Sequence, residues 1–145
     1  MHLPVLRRGR PYRSVDTVSL PHFRTRDAVA TLSQANAGLV RRDLLDEAQA
    51  AMRAALAAIP ARDLVSLCRR AAEAFVADTL PAGEDEQSPE AYVRQLSATT
   101  GLPHVLVRRN MEKIRGVLAG IEDVLAGLTR GSGRWTSLGP QQRLV

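Results

Sequence analysis

Apolar residues recur at three- and four-residue intervals over most of this chain, and proline or glycine closes each run. The helical pattern begins after Asn36, a side chain able to cap a helix by accepting a bond from a free backbone N–H. Leu45, Ala48, Met52, Ala55, Leu56 and Ile59 then fall on one helix face. Pro60 ends that run, because the residue before a proline is pushed out of helical backbone. A second helix is expected from about Arg62, with a stripe of Leu64, Leu67, Cys68, Ala71 and Phe75, fading near Leu80 to Gly83. Ser88-Pro89-Glu90 signals a third start, with serine as cap and proline at the first helical position. That short helix carries Tyr92, Val93 and Leu96 and stops near Gly101. Leu102-Pro103 opens the longest run, with Leu106, Ile114, Val117, Leu118, Ile121, Leu125 and Leu128 on one side. Gly116, Gly120 and Gly127 interrupt it, and close packing against another helix is the expected reason.

The segment before Asn36 reads differently. Met1 to about Tyr12 is basic and broken by Pro4, Gly9 and Pro11, which predicts an irregular arm. Ser14–Pro21 and Ala28–Ser33 carry strand-type side chains around a polar turn at Arg24-Thr25-Arg26-Asp27, which predicts a β-hairpin. Gly83-Glu84-Asp85-Glu86-Gln87 reads as an acidic, exposed connector. From Gly131 to Val145 the chain is glycine-rich and aperiodic, and an irregular, disordered tail is expected. The expected organisation is therefore a basic arm and hairpin over 1–36, about four helices over 37–130, and the tail over 131–145. The fold class is mainly α with a short N-terminal β-hairpin. Alanine, leucine and valine supply most of the apolar side chains, and only five residues are aromatic, so helices packed closely together suit this chain better than a β-sandwich.

The net charge of +5 comes almost wholly from arginine, Lys113 being the single lysine. Arginine suits phosphate. Here, though, Arg7, Arg41, Arg62, Arg94 and Arg130 are spread along the chain, and the pairs Arg41-Arg42, Arg69-Arg70 and Arg108-Arg109 have acids nearby and no stacking aromatics. Nucleic acid is accordingly a disfavoured partner. A single cysteine allows no intrachain disulfide. The start shows no apolar leader core and no run approaches a membrane span, so a cytoplasmic protein is expected.

Reactive chemistry is sparse. Cys68 lies on the apolar stripe of the second helix, where a small buried hydrophobe is expected rather than a nucleophile. His2, His22 and His104 have no ligand spacing, and Glu84, Asp85 and Glu86 lack the alternation of a calcium loop. Gly131-Ser-Gly133 trails a helix instead of preceding one, so it is not a phosphate-cradling loop. Asp43, Asp46 and Glu47 are expected near a helix beginning, where acids favour the dipole. No catalytic, cofactor-binding or metal-ligating residue is assigned.

The order of elements resembles the beginning of the aldehyde dehydrogenase superfamily. Ala28-Val-Ala-Thr-Leu-Ser-Gln-Ala-Asn36 is similar to the strand and turn before that family's first long helix, and Leu44–Ile59 is similar to the helix. Pro60-Ala-Arg-Asp-Leu64 resembles the start of the next helix, shortened by about a residue. Ser88-Pro-Glu-Ala-Tyr-Val-Arg94, Thr100-Gly-Leu-Pro-His104 and Asn110–Arg130 resemble a branch described as aldehyde dehydrogenase or acyl-CoA reductase-like. The similarity spans roughly residues 1–131 and consists of scaffold motifs. It implies the leading segment of an NAD(P)-dependent oxidoreductase, with an early stop or change of frame after Gly131, and no family catalytic residue falls on this chain. NAD or NADP is implied for the whole enzyme and no cofactor for this segment. The implied partner is the remainder of the dehydrogenase or another subunit, a homo-oligomer being allowed. The alternative is a stand-alone helical interaction module using the 39–59 or 104–128 faces, and after it a basic nucleic-acid binder.

Overall fold

A computed structural model describes residues 1–45 and 48–129. The chain is mostly helical, with small sheets gathered before residue 34 and around residue 84. Strands β1 (His2–Leu3), β2 (Val5–Arg7), β3 (Arg10–Tyr12), β4 (Thr17–Pro21) and β5 (Ala28–Ser33) come first. Helices α1 (Ala37–Leu45), α2 (Ala48–Ala57) and α3 (Ala61–Ala77) follow. A hairpin of β6 (Leu80–Ala82) and β7 (Asp85–Gln87) precedes α4 (Pro89–Thr100), α5 (His104–Ala119) and α6 (Ile121–Leu128).

The expected hairpin forms as β4 against β5, with Val18 opposite Leu32 and Leu20 opposite Ala30. The arm expected to be irregular does not stay irregular. β1 adds to the same sheet in parallel with β5, His2 facing Thr31 and Leu3 facing Leu32, while β2 and β3 form a separate antiparallel pair. The β2–β3 turn holds two residues, Arg8 and Gly9, both at positive φ (53° and 73°), as a tight turn matched to strand twist requires. The sequence signal was masked because arginine stands where asparagine or aspartate is usual.

The acidic segment at 83–87 is likewise a strand and turn rather than a loose connector. Ala82 faces Asp85 across a two-residue turn, and Gly83 takes φ +74°. A Cβ there would lie 2.5 Å from the His2 carbonyl oxygen and 2.8 Å from Pro4 Cδ, so only glycine allows this turn to seat against the N-terminus.

Local helix signals behave as physics demands. Asn36 Oδ1 accepts from the Leu39 N–H at 2.8 Å, Ser88 Oγ accepts from the Ala91 N–H at 3.2 Å, and Gly101 ends α4 in the left-handed region. The core lies between α3, α4 and α5. Val93, Val107 and Met111 are buried there, with Phe75, Val76, Tyr92 and Leu96 packed around them. The Phe75 and Tyr92 rings meet edge to face at 5.6 Å. The sheet is tied to this core through its turn, where the Phe23 N–H donates to the Ala98 carbonyl at 2.8 Å.

Two expectations about faces fail in part, and one about helix continuity fails. On α3, Val65 and Ala72 turn inward, whereas Leu67 is 52% exposed and Ala71 is also exposed. On α5, Val107 and Met111 are the buried pair, and Leu106 and Val117 face outward. Periodicity fixes the angle between side chains but not the direction of the partner; Leu64, Cys68 and Phe75 on α3 and Ile114 and Leu118 on α5 are half-buried as expected, and the stripes miss at their edges. The long last helix is also two helices, broken at Gly120, whose Cβ would meet the Gly116 carbonyl at 3.1 Å; Gly116 and Gly127 face open space rather than a close-packed neighbour. The tail expected over 131–145 lies outside the described residues.

Candidate functional site

α1 and α2 differ from the rest of the helical region in being almost uncovered. Met52 (51% exposed) and Leu56 (57%) of the expected core stripe stand in solvent, as do Leu45 and Ile59. Beside them, Leu6, Leu39, Val40, Leu44 and Met52 line an open groove of about 320 Å³ between β2 and the two helices. Alanine-rich helices of this kind bury little surface by themselves, so the groove is held in place mainly by one polar link.

That link is Arg7 to Asp43. Arg7 Nε donates to Asp43 Oδ2 at 2.6 Å, and its Nη2 donates to Asp43 Oδ1, a two-toothed pairing that fixes the guanidinium plane. Both side chains are about a quarter exposed. Arg7 also lies over the Tyr12 ring, 4.8 Å from its centroid. The hydrogen bonds from Arg7 hold the Asp43 carboxyl below the usual carboxylate range; partial burial opposes this, while the charges of Arg7, Arg42 and Arg8 add to it. Asp43 thus sits in the last turn of α1 and not near a helix beginning. Asp46 and Glu47 lie outside the described residues.

On the other side of Arg7 is a second concavity, about 680 Å³, lined by Arg7, Arg8, Arg10, Pro11, Tyr12 and Arg42. Four guanidinium groups converge here although the arginines are scattered in sequence. The β2–β3 turn supplies three from one side and α1 supplies the fourth. The cluster is not legible in the sequence, because Arg7 to Arg10 reads as part of an irregular arm and Arg42 lies more than thirty residues away. The Arg-Gly pair at positions 8–9 was the one available signal.

The remaining candidates have structural surroundings. Cys68 is free and half-buried on α3, not fully buried as the apolar stripe predicts. His2 Nε2 lies 3.0 Å from Ser33 Oγ, which also accepts from the Ser14 N–H at 2.9 Å. Ser33 is buried and its oxygen is thereby occupied in joining β1, β5 and the loop before β4. His22 Nδ1 accepts the Arg24 and Thr25 N–H groups within its own turn. His104 begins α5, and Glu84 faces Arg13 at 3.8 Å in the exposed turn of β6–β7. Among the described residues no three His, Cys, Asp or Glu side chains are grouped to hold a metal ion, and no helix is long and apolar enough to cross a membrane. Gly131-Ser-Gly133 lies outside the described residues.

Compared with family models, curated proteins and solved structures, the chain matches none of them.

Proposed function

We propose that this chain is a helical scaffold segment of an NAD(P)-dependent aldehyde dehydrogenase-like oxidoreductase, supplying packing surface and no reactive group. The observation that carries the reading is the uncovered apolar face of α1 and α2, beside a core of Val93, Val107 and Met111 between α4 and α5. A helix pair with Leu44, Leu45, Met52 and Leu56 in water gains stability when another polypeptide covers it. The enzyme class rests on the resemblance of sequence motifs alone, among them Ala28–Asn36, Pro60–Leu64 and Ser88–Arg94. Hydride transfer would then use groups outside this segment, and Cys68 remains part of the scaffold.

The same exposed faces also favour the second reading, a stand-alone interaction module, because Val105, Val117, Val124 and Leu128 extend the apolar surface onto α5 and α6. Calorimetric titration with NAD and NADP, run beside analytical ultracentrifugation and a thermal melt, separates the two. The scaffold reading expects no cofactor binding, a broad melt and ill-defined association. A sharp melt with one defined oligomer selects the module. Turnover of an aldehyde by the purified chain, with Cys68 trapped as a covalent adduct, refutes both.

A further inference from the structure

The arginine-lined concavity does not follow from a scaffold role, and its chemistry can be read independently of it. Of the four guanidiniums, Arg7 is committed to Asp43 through two donors and to the face of Tyr12. Arg8 has a partner as well. Arg10 and Arg42 are exposed and have no hydrogen-bond or ion-pair partner among the described residues. Elsewhere on the described surface Arg69 pairs with Glu122, Arg108 with Glu90, and Arg115 with Glu112 and Glu73, while Arg53, Arg70, Arg94 and Arg109 have no such partner among the described residues. What sets this concavity apart is that arginines from two separate elements line one hollow.

The two-residue turn, with Arg8 at φ 53° and Gly9 at 73°, reverses the chain between β2 and β3. The turn's effect is to place residues 7, 8 and 10 on the rim facing Arg42. Each guanidinium is a planar fork that matches two oxygens of a phosphoryl group. Two open forks across one concavity match a ligand carrying two linked phosphoryl groups.

We infer that the concavity between the β2–β3 turn and α1 binds an oligophosphate, the diphosphate group being gripped by Arg10 and Arg42. The diphosphate could be free or the tail of a nucleotide, since the recognising chemistry is shared.

Isothermal titration of the full chain with sodium pyrophosphate, orthophosphate and ADP tests this. One pyrophosphate should bind per chain, orthophosphate about tenfold more weakly because it engages one fork, and ADP as tightly as pyrophosphate or tighter. Arg10→Ala and Arg42→Ala should each weaken pyrophosphate about tenfold. Arg10→Lys and Arg42→Lys should recover only part of that loss, because lysine keeps the charge and loses the fork. Arg109→Ala, outside the concavity, should have no effect. Circular dichroism on each variant checks folding, which two exposed side chains without described partners should not alter, and the lysine variants carry the test should an alanine variant unfold. The inference is overturned by absence of saturable pyrophosphate binding, by ADP binding without pyrophosphate binding, or by an Arg109→Ala effect equal to that of Arg10→Ala. Single-stranded nucleic acid that binds while pyrophosphate does not would also overturn it.

Discussion

Replacing Gly83 by alanine should destabilise the protein by about 3 kcal/mol, and the figure can be assembled from three parts. The residue holds φ +74°, where an L side chain costs about 1–2 kcal/mol. The new Cβ would stand 2.5 Å from the His2 carbonyl oxygen and 2.8 Å from Pro4 Cδ, so β1 must shift, at an overpacking cost of about 1–3 kcal/mol. Alanine also restricts the unfolded chain, which returns about 0.4–1 kcal/mol. The shift matters because β1 is held by its pairing to β5 and by the Thr31 N–H, which donates to the Met1 carbonyl at 3.0 Å. Urea denaturation followed by circular dichroism should show the midpoint falling by about 1–2 M with little change in slope. Gly116→Ala is the opposing control: it sits within α5 with nothing within 4 Å of its added Cβ, and should stabilise by about 0.5–1 kcal/mol. Combining Gly83→Ala with removal of residues 1–4 should abolish the steric part of the penalty and leave the backbone part. If Gly83→Ala lies within about 0.5 kcal/mol of the parent, the N-terminal strand is not seated against this turn and the reasoning fails.

Four further outcomes are expected. Val107→Ala, at a fully buried position between Val93 and Met111, should cost about 2 kcal/mol in urea denaturation, whereas Leu128→Ala, 76% exposed, should be near neutral. Asp43→Asn tests the Arg7 link through its pH dependence. The folded carboxyl is held below its unfolded value, so its contribution is complete above about pH 5, and is lost as pH falls through the folded value. The stability gap between parent and variant should therefore be constant from about pH 5 to 8 and narrow below about pH 4, and a gap that widens on acidification refutes the assignment. Arg26 holds φ 69° in the β4–β5 turn, so Arg26→Asn should raise stability by about 0.5 kcal/mol, read as a higher melting temperature. Met52→Glu with Leu56→Glu should change monomer stability by less than about 0.5 kcal/mol each while reducing dye binding and self-association; unchanged association would mean that this face is not the sticky one.

What the sequence disclosed was decided within a few residues. Asn36, Pro60, Ser88-Pro89 and Gly101 mark helix ends because caps and proline act on neighbouring backbone, and the β4–β5 hairpin follows from side-chain type around a polar turn. What it hid was set by distant partners. β1 becomes a strand only because β5 offers an edge about thirty residues later, and parallel pairing leaves no turn to read. The missed edges of the α3 and α5 stripes have the same cause: Val65 and Val107 are buried by where the neighbouring helices lie. The arginine concavity was the least legible feature, since it joins a turn of unusual composition to a helix more than thirty residues on. Of the groove residues only Met52 belongs to the stripe running from Leu45 to Ile59, and its exposure was not legible in the sequence.

The placement of charge separates the two halves of the molecule physically. Around α3, α5 and α6 the ion pairs Arg69–Glu122, Arg108–Glu90 and Arg115–Glu73 join neighbouring elements, and each is largely exposed, so together they position the helices more than they stabilise them. Around β2, β3 and α1 the arginines of the turn and of α1 line one concavity instead. The apolar groove and the basic concavity meet at Arg7, whose bond to Asp43 holds the strand against α1 and orients one wall of both. A polypeptide seated in the groove would therefore lie beside the bound anion. Binding at one site should alter affinity at the other by the same factor, because linkage between two sites sharing a wall is reciprocal.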